Sequence, residues 1–426
     1  MLSPTYSLHY DEPLLADRGE GVIIWDADGR AYLDCYNNVP SVGHCHPHVI
    51  EAMHRQASLI NTHSRYLHDS IVSYAERLTA TLPPELDTCA FVCTGTEANG
   101  LAYELARAAT GSTGVVVTEG SYHGNILAVA DISLYRTQPS NQPDFVRTIP
   151  HPDPSSGESE EEATYIAKAM VALAEPVLRA QARSRNGLAM LMIDPIFDAP
   201  GIFTAPPGYL SELSKIVHSA GGLVVADEIQ SGLTRLGDNM WGFMDSGFVP
   251  DIVTMGKPMG AGYPLAVVAA KREIFEAFAS KRGYFNTFGG TPVAGAVGNA
   301  VLDVIEREAI QRNVHDVGQY LRLGLQQLKD RFDCIGSVRG KGLFLGVELV
   351  KDRKSRRPDS ETTASLVTEM RRRGVLISAC GKLDNVLKIR PPLVFSKGNA
   401  DQLLETLQIS LQERVQTAAE AEPIRP

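Results

Sequence analysis

Cysteine is scarce in this chain of 426 residues, which holds six: Cys35, Cys45, Cys89, Cys93, Cys334 and Cys380. Scattered through apolar or mixed segments, they argue against a disulfide scaffold and read as reduced, mostly buried thiols. A basic excess is missing as well. Lys and Arg number 40 against 50 Asp and Glu, a formal net charge of −10. With no basic stripe, a nucleic-acid partner is not expected. No apolar run approaches the roughly 20 residues that span a bilayer, so no membrane partner is expected either. The first segment carries His9, Asp11, Glu12, Asp17, Arg18 and Glu20, without the apolar stretch of a signal peptide. The expectation is a cytoplasmic protein. What the chain does have is hydrophobic residues, 44% of the total, enough for more than one domain.

Short apolar runs flanking Asp26-Ala27-Asp28-Gly29 predict a hairpin. Helical spacing follows from about Pro47 to Leu59 and from Ile71 to Leu82. The runs CAFVC (89–93), GVVVTEG (114–120), LAMLMIDPI (188–196), GGLVVADEI (221–229), DIVTMG (251–256) and LAVVAAK (265–271) read as buried strands. Helices are expected between several of them, at about Glu97–Ala109 and Tyr209–Ala220. Apolar strands alternating with helices predict an α/β protein whose parallel sheet is covered on both faces. The stretch 151–162 is polar and reads as an exposed loop. After about Asn299 the pattern changes to long helices, a hairpin-like IGSVRGKGLFLGVELV and two short strands, which reads as a smaller α+β domain. The last ten residues, TAAEAEPIRP, are expected to fray.

The chemistry lies in an ordered set rather than in one motif. Asp227 closes one predicted strand and Lys257 follows another. Thr94-Gly95-Thr96 sits between a strand and a helix, where backbone N–H groups suit a phosphate. Tyr122-His123-Gly124 follows a further strand and offers an aromatic face. In open parallel sheets, ligands gather beyond the carboxyl ends of the strands. A lysine amine, a carboxylate, a ring platform and a phosphate cradle at one sheet edge are what pyridoxal 5′-phosphate (PLP) requires of a protein. His44, His46 and His48 alternate in a metal-like way, but a helix is predicted to begin at Pro47. They are read as a turn and helix start, with no metal.

These residues lie in longer stretches that resemble the class III aminotransferases, PLP enzymes of fold type I. The resemblance runs from about Pro13 to Phe395 through YLDCYNNVPSVGHCHP, CTGTEAN, YHGN, VADEIQSGLTRLG, PDIVTMGKPMGAGYPLA, YFNTFGGTPVA and RGKGLFLGVEL. It implies a large domain with a mostly parallel seven-stranded sheet flanked by helices, over 59–299. It implies a smaller α+β domain from 1–58 and 300–426. It also implies catalytic Lys257 in Schiff-base linkage to PLP and catalytic Asp227 at the pyridine nitrogen. Gln230 would contact the ring hydroxyl, Tyr122 would stack on the ring beside His123, and Gly95 and Thr96 would hold the phosphate. Thr287 would reach the cofactor of a second subunit, which implies a homodimer with shared sites.

The family transfers amino groups from a primary amine or amino acid to a keto acid. Two departures bear on the substrate. Where many members carry an Arg before Pro-Pro-Leu, this chain has Lys388. Where many carry the Glu that pairs with that Arg, it has Ala199. The run Leu387-Lys388-Ile389-Arg390-Pro391-Pro392 is instead similar to the phospho-lyases of phosphoethanolamine and phosphohydroxylysine, as is NTHSRYLHDSIVSYAERL (61–78). Ser231-Gly232-Leu233-Thr234-Arg235 departs from that subgroup. Transamination and elimination of phosphate or ammonia from a small-molecule amine both stay open. For an anionic substrate, the expected clamp is Arg65, Lys388 and Arg390.

Overall fold

A computed structural model describes residues 8–10, 12–135, 141–153 and 160–421. Its centre is a seven-stranded sheet. From edge to edge the strands are Thr88–Val92, Ala266–Ala270, Ile252–Met255, Leu223–Asp227, Met190–Ile193, Val115–Thr118 and Val146–Ile149. All pairings are parallel except those of Ala266–Ala270, which runs against both neighbours. Every residue of Met190–Ile193 and of Ile252–Met255 is buried. Such unbroken apolar strands require helices on both faces. Each large aliphatic side chain so buried contributes about 1.5–3 kcal/mol.

Two elements of this layer were not legible as expected. Val146–Ile149 forms the edge strand beside Val115–Thr118, and Glu160–Ala182 is a long helix. The expected loop at 151–162 therefore ends at Glu160, and its residues 154–159 lie outside the described residues. Pro176 sits inside this helix and breaks the helical reading of the sequence, since an internal Pro removes a backbone donor. Ala167, Ala174 and Leu178 nonetheless face the core at helical spacing.

Two smaller sheets of four strands each flank the large one. The first joins Ala16–Glu20, Ile23–Asp26 and Ala31–Asp34 to Val375–Leu376, whose Val375 pairs with Leu33 in parallel. The start and the end of the chain thus share a sheet. The predicted hairpin is present. Asp26 Oδ1 accepts from the N–H of Asp28 at 3.1 Å and of Arg30 at 2.9 Å, closing the turn. The second sheet orders Ile335–Lys341, Phe344–Leu349, Val386–Ile389 and Ser378–Cys380, all antiparallel. Its strand Val386–Ile389 carries Lys388, and Arg390 follows directly. The closing helix, Lys397–Ala421, continues into the segment expected to fray. No helix among the described residues is long and apolar enough to cross a membrane.

Candidate active site

The parallel strands end together, and their carboxyl ends deliver the site. Thr94 follows Val92 and caps the helix Gly95–Thr110. Its hydroxyl accepts from Glu97 N–H at 3.1 Å, while Glu97 Oε2 accepts from the N–H of Thr94 at 2.9 Å and of Cys93 at 2.7 Å. This capping box leaves the N–H groups of Gly95 and Thr96 without an intrahelical acceptor, at the positive end of the helix dipole. The backbone is close-packed here. A Cβ on Gly95 would stand 2.5 Å from Ile229 Cδ1, and one on Gly124 would stand 2.8 Å from Thr96 Oγ1.

Asp227 closes its strand almost wholly buried, and three donors fix it. His123 donates from Nδ1 at 2.7 Å and Asn99 from Nδ2 at 2.9 Å, both to Oδ2. Ile229 N–H donates to Oδ1 at 3.2 Å. Asn99 Nδ2 also reaches the carbonyl of His123 at 2.7 Å, and its Oδ1 accepts from Thr254 at 2.6 Å. His123 therefore serves Asp227. The hydroxyl of Ser133 accepts from the N–H of His123 at 2.9 Å and of Gly124 at 3.0 Å, which sets the loop carrying Tyr122. Asn99 went unnoticed in the sequence as a site residue. Its signal was a polar residue on a helix face whose neighbours Ala98, Ala102 and Leu105 are core.

Lys257 follows Met255 and opens onto two cavities. One, of about 130 Å³, is lined by Gly95, Thr96, Tyr122, His123, Asp227 and Gln230, with Asp194 and Lys257 in its wall. The other, of about 720 Å³, shares Tyr122, Gln230 and Lys257 and continues to Tyr36, Asp198, Lys388 and Arg390. Burial first, then Arg390 and Lys388, push the Lys257 ammonium down to about 8 against the opposing pull of Asp198 and Asp227. Burial holds the Asp194 carboxyl well above the usual range, helped by Asp198 and Asp227.

The expected anion clamp is only partly assembled. Arg390 is buried, and its guanidinium donates to Gln230 Oε1 and, from Nε, to the Tyr36 carbonyl at 3.3 Å. Lys388 is also buried, but its ammonium is ion-paired with Asp198. Burial would raise the Asp198 carboxyl, yet Lys388 and Arg390 outweigh it and hold it below the usual range. Gln230 takes a second donor, Asn38 Nδ2, at 3.0 Å, so its carbonyl is committed to two partners where the residue lines both cavities. Arg65 lines neither cavity and lies over Phe285 at 4.1 Å. Thr287 lines neither and is exposed on the same loop as Phe285. The three histidines beside Pro47 each face a different carboxylate, His44 to Asp34 at 2.8 Å, His46 to Glu308 at 3.1 Å and His48 to Asp303 at 2.9 Å.

The model of the class III aminotransferase family matches residues 5–411. The chain belongs to that family and is an enzyme of it. An alanine–glyoxylate aminotransferase 2-like protein of Drosophila melanogaster is 40% identical over 96% of this chain and 85% of its own. A phospholyase from Arthrobacter, solved with phosphoethanolamine, superposes with a TM-score of 0.93 at 40% identity, over 96% of this chain and 97% of that one. An omega transaminase from Pseudomonas jessenii, solved with PMP, superposes with a TM-score of 0.86 at 25% identity, over 98% of both chains.

Proposed function

We propose that this enzyme is a PLP-dependent phospho-lyase that releases phosphate and ammonia from a phosphorylated primary amine such as phosphoethanolamine. The observation that carries the reading is the buried Arg390, a cation without a carboxylate partner among the described residues, on the wall of the cavity that opens from Lys257. The likeness to the Arthrobacter phospholyase supports it.

The donor set fits the cofactor. Gly95 and Thr96 would hold its phosphate, Asp227 its ring nitrogen, Gln230 its ring hydroxyl, Tyr122 its face and Lys257 its aldehyde carbon. Bound there, PLP supplies an electron sink for negative charge on the carbon bearing the substrate nitrogen. The rest belongs to the chain. The amine of Lys257 removes the proton from that carbon, a task suited to a base poised near neutrality. The C–O bond on the next carbon breaks and phosphate leaves with the bonding pair, its charge met by Arg390. Water then releases ammonia and leaves the corresponding aldehyde.

The reading includes a homodimer. Phe285, Phe288, Tyr66 and Leu67 are exposed apolar side chains around Arg65 and Thr287, and grouped apolar exposure of this kind marks an interaction face. A second copy covering them brings Thr287 to its neighbour's cofactor phosphate.

The test is to incubate PLP-loaded enzyme with phosphoethanolamine and no keto acid, and to assay phosphate and ammonia. Catalytic release of both is expected, with kcat/KM for Arg390→Gln lower on the order of 100-fold, the loss typical of a buried charged contact. No release, together with amino transfer from an amine to pyruvate or 2-oxoglutarate, would replace this reading with transamination, which the Pseudomonas likeness favours.

A further inference from the structure

The large cavity has a wall no motif pointed to. His9, with Leu8 and Tyr10, lines it together with Tyr36, Lys388 and Arg390. Its imidazole meets Tyr36 edge-on at 4.8 Å between ring centroids, and the Arg390 guanidinium lies 5.0 Å from the centre of that same ring. The adjacent Tyr10 is anchored, its hydroxyl donating to the Ile377 carbonyl at 3.1 Å. Among the described residues, no hydrogen bond engages the imidazole.

The charges of this cavity are Lys257, Lys388, Arg390, Asp198 and Asp384, with Tyr10, Tyr36, Tyr122, Tyr135 and Cys380 as further ionisable groups. Lys388 is paired with Asp198, and Asp384 accepts from the Tyr135 hydroxyl at 3.4 Å. Lys257 is committed to the cofactor in the loaded enzyme. Arg390 has no carboxylate partner among the described residues, and Asp384, held by a neutral hydroxyl, keeps its charge. The fixed charges of the cavity therefore cancel, and an entering phosphate dianion brings two charges where a carboxylate brings one.

We propose that His9 contacts the substrate's anionic group, taking up a proton as a dianion enters beside Arg390, and so selects phosphorylated over carboxylated amines. This inference rests on the phospho-lyase reading. Burial, then Arg390 and Lys388, lower the proton affinity of His9 below that of an ordinary imidazole. It is therefore neutral in the free cavity at pH 7.5, and a dianion at hydrogen-bond distance reverses the balance.

The test uses the holoenzyme, in which the cofactor's own phosphate fills the cradle at Gly95. Sulfate is a permanent dianion, so any proton taken up when it binds enters the protein. Calorimetric titration with sulfate at pH 7.5, in buffers of different ionisation enthalpy, is expected to show proton uptake. In His9→Gln the uptake should vanish and sulfate affinity fall about tenfold, the scale of one charge-assisted hydrogen bond. Acetate affinity should change little. His9→Gln melting at the wild-type temperature would exclude a folding effect. Wild-type binding without proton uptake, or unchanged uptake in His9→Gln, overturns the inference. The phosphate-release assay separates the two readings. His9-linked sulfate binding in an enzyme that releases no phosphate sustains this inference and sinks the lyase.

Discussion

Burial lowers an amine's hold on its proton, because an ammonium gives up its hydration. For Lys257 that effect, with Arg390 nearby, brings the value to about 8. The rate at which apoenzyme takes up PLP, followed by absorbance, should therefore rise with pH through a midpoint near 8. A midpoint near the ordinary lysine value of 10.5 would mean that the amine is solvated. Asp198 supplies a second residue-scale prediction. Its carboxyl is held below the ordinary 3.8 by Lys388 and Arg390 against burial. A depressed carboxylate contributes stability that is complete above its unfolded value and is lost as pH falls through the folded one. Asp198→Asn strands a buried ammonium and should cost about 3–5 kcal/mol, equally at pH 8 and pH 5, with the gap closing only in stronger acid. Denaturant titrations across that range check it. A gap that already closes between pH 7 and pH 5 would show the pair is not ionised in the fold.

At the scale of elements, the site depends on a strand, a helix start and a neighbouring loop meeting without spare room. The helix Gly95–Thr110 begins where Ile229 presses on Gly95, and the N–H of Ile229 holds Asp227. Gly95→Ala should cost about 1–3 kcal/mol by overpacking and weaken PLP retention, since the displaced Ile229 carries the Asp227 contact with it. Adding Ile229→Val removes the Cδ1 that the new methyl would strike. The double variant should recover most of the loss in melting temperature and in cofactor dissociation rate. If it recovers neither, the defect lies in the helix terminus itself. The smaller sheets reach the site by the same kind of contact. The Ser41 hydroxyl donates to the Pro258 carbonyl at 2.6 Å, and Asn38 meets Gln230. The loop after Ala31–Asp34 is thereby tied to the segment that carries Lys257.

Among the described residues, Phe285 and Phe288 stand exposed on an apolar face. Light scattering on the eluting protein should give the mass of two chains down to micromolar concentration. Thr287→Ala should stay dimeric and release PLP faster, because the loss falls on the neighbour's cofactor rather than on the interface. A fully active monomer would remove the shared site. The chain ends also act at this scale. Leu33 pairs with Val375, so the N-terminal segment cannot be cut away without exposing a strand edge of the smaller sheets.

What the sequence by itself determined was whatever depends on neighbours along the chain. Apolar runs such as Met190–Ile193 declared buried parallel strands. Strands that share a direction bring their ends to one edge, so Asp227, Lys257 and Gly95 could be placed together before any coordinates. Pro176 hid one helix, and the edge strand Val146–Ile149 carries Arg147 and Thr148 in place of an unbroken apolar run. What only the tertiary structure decided was pairing across distance. Lys388 could be read as a cation, but not as one already neutralised by Asp198. Arg65 could be read as a partner of Arg390, but its loop carries it to Phe285. Asn99 sits in an unremarkable local pattern and joins the site only because packing brings separate segments within hydrogen-bond reach, and His9 lines the cavity through the same closure. Periodicity reports which way a side chain faces. Whom it meets there is fixed by how sheets and helices close around a common core.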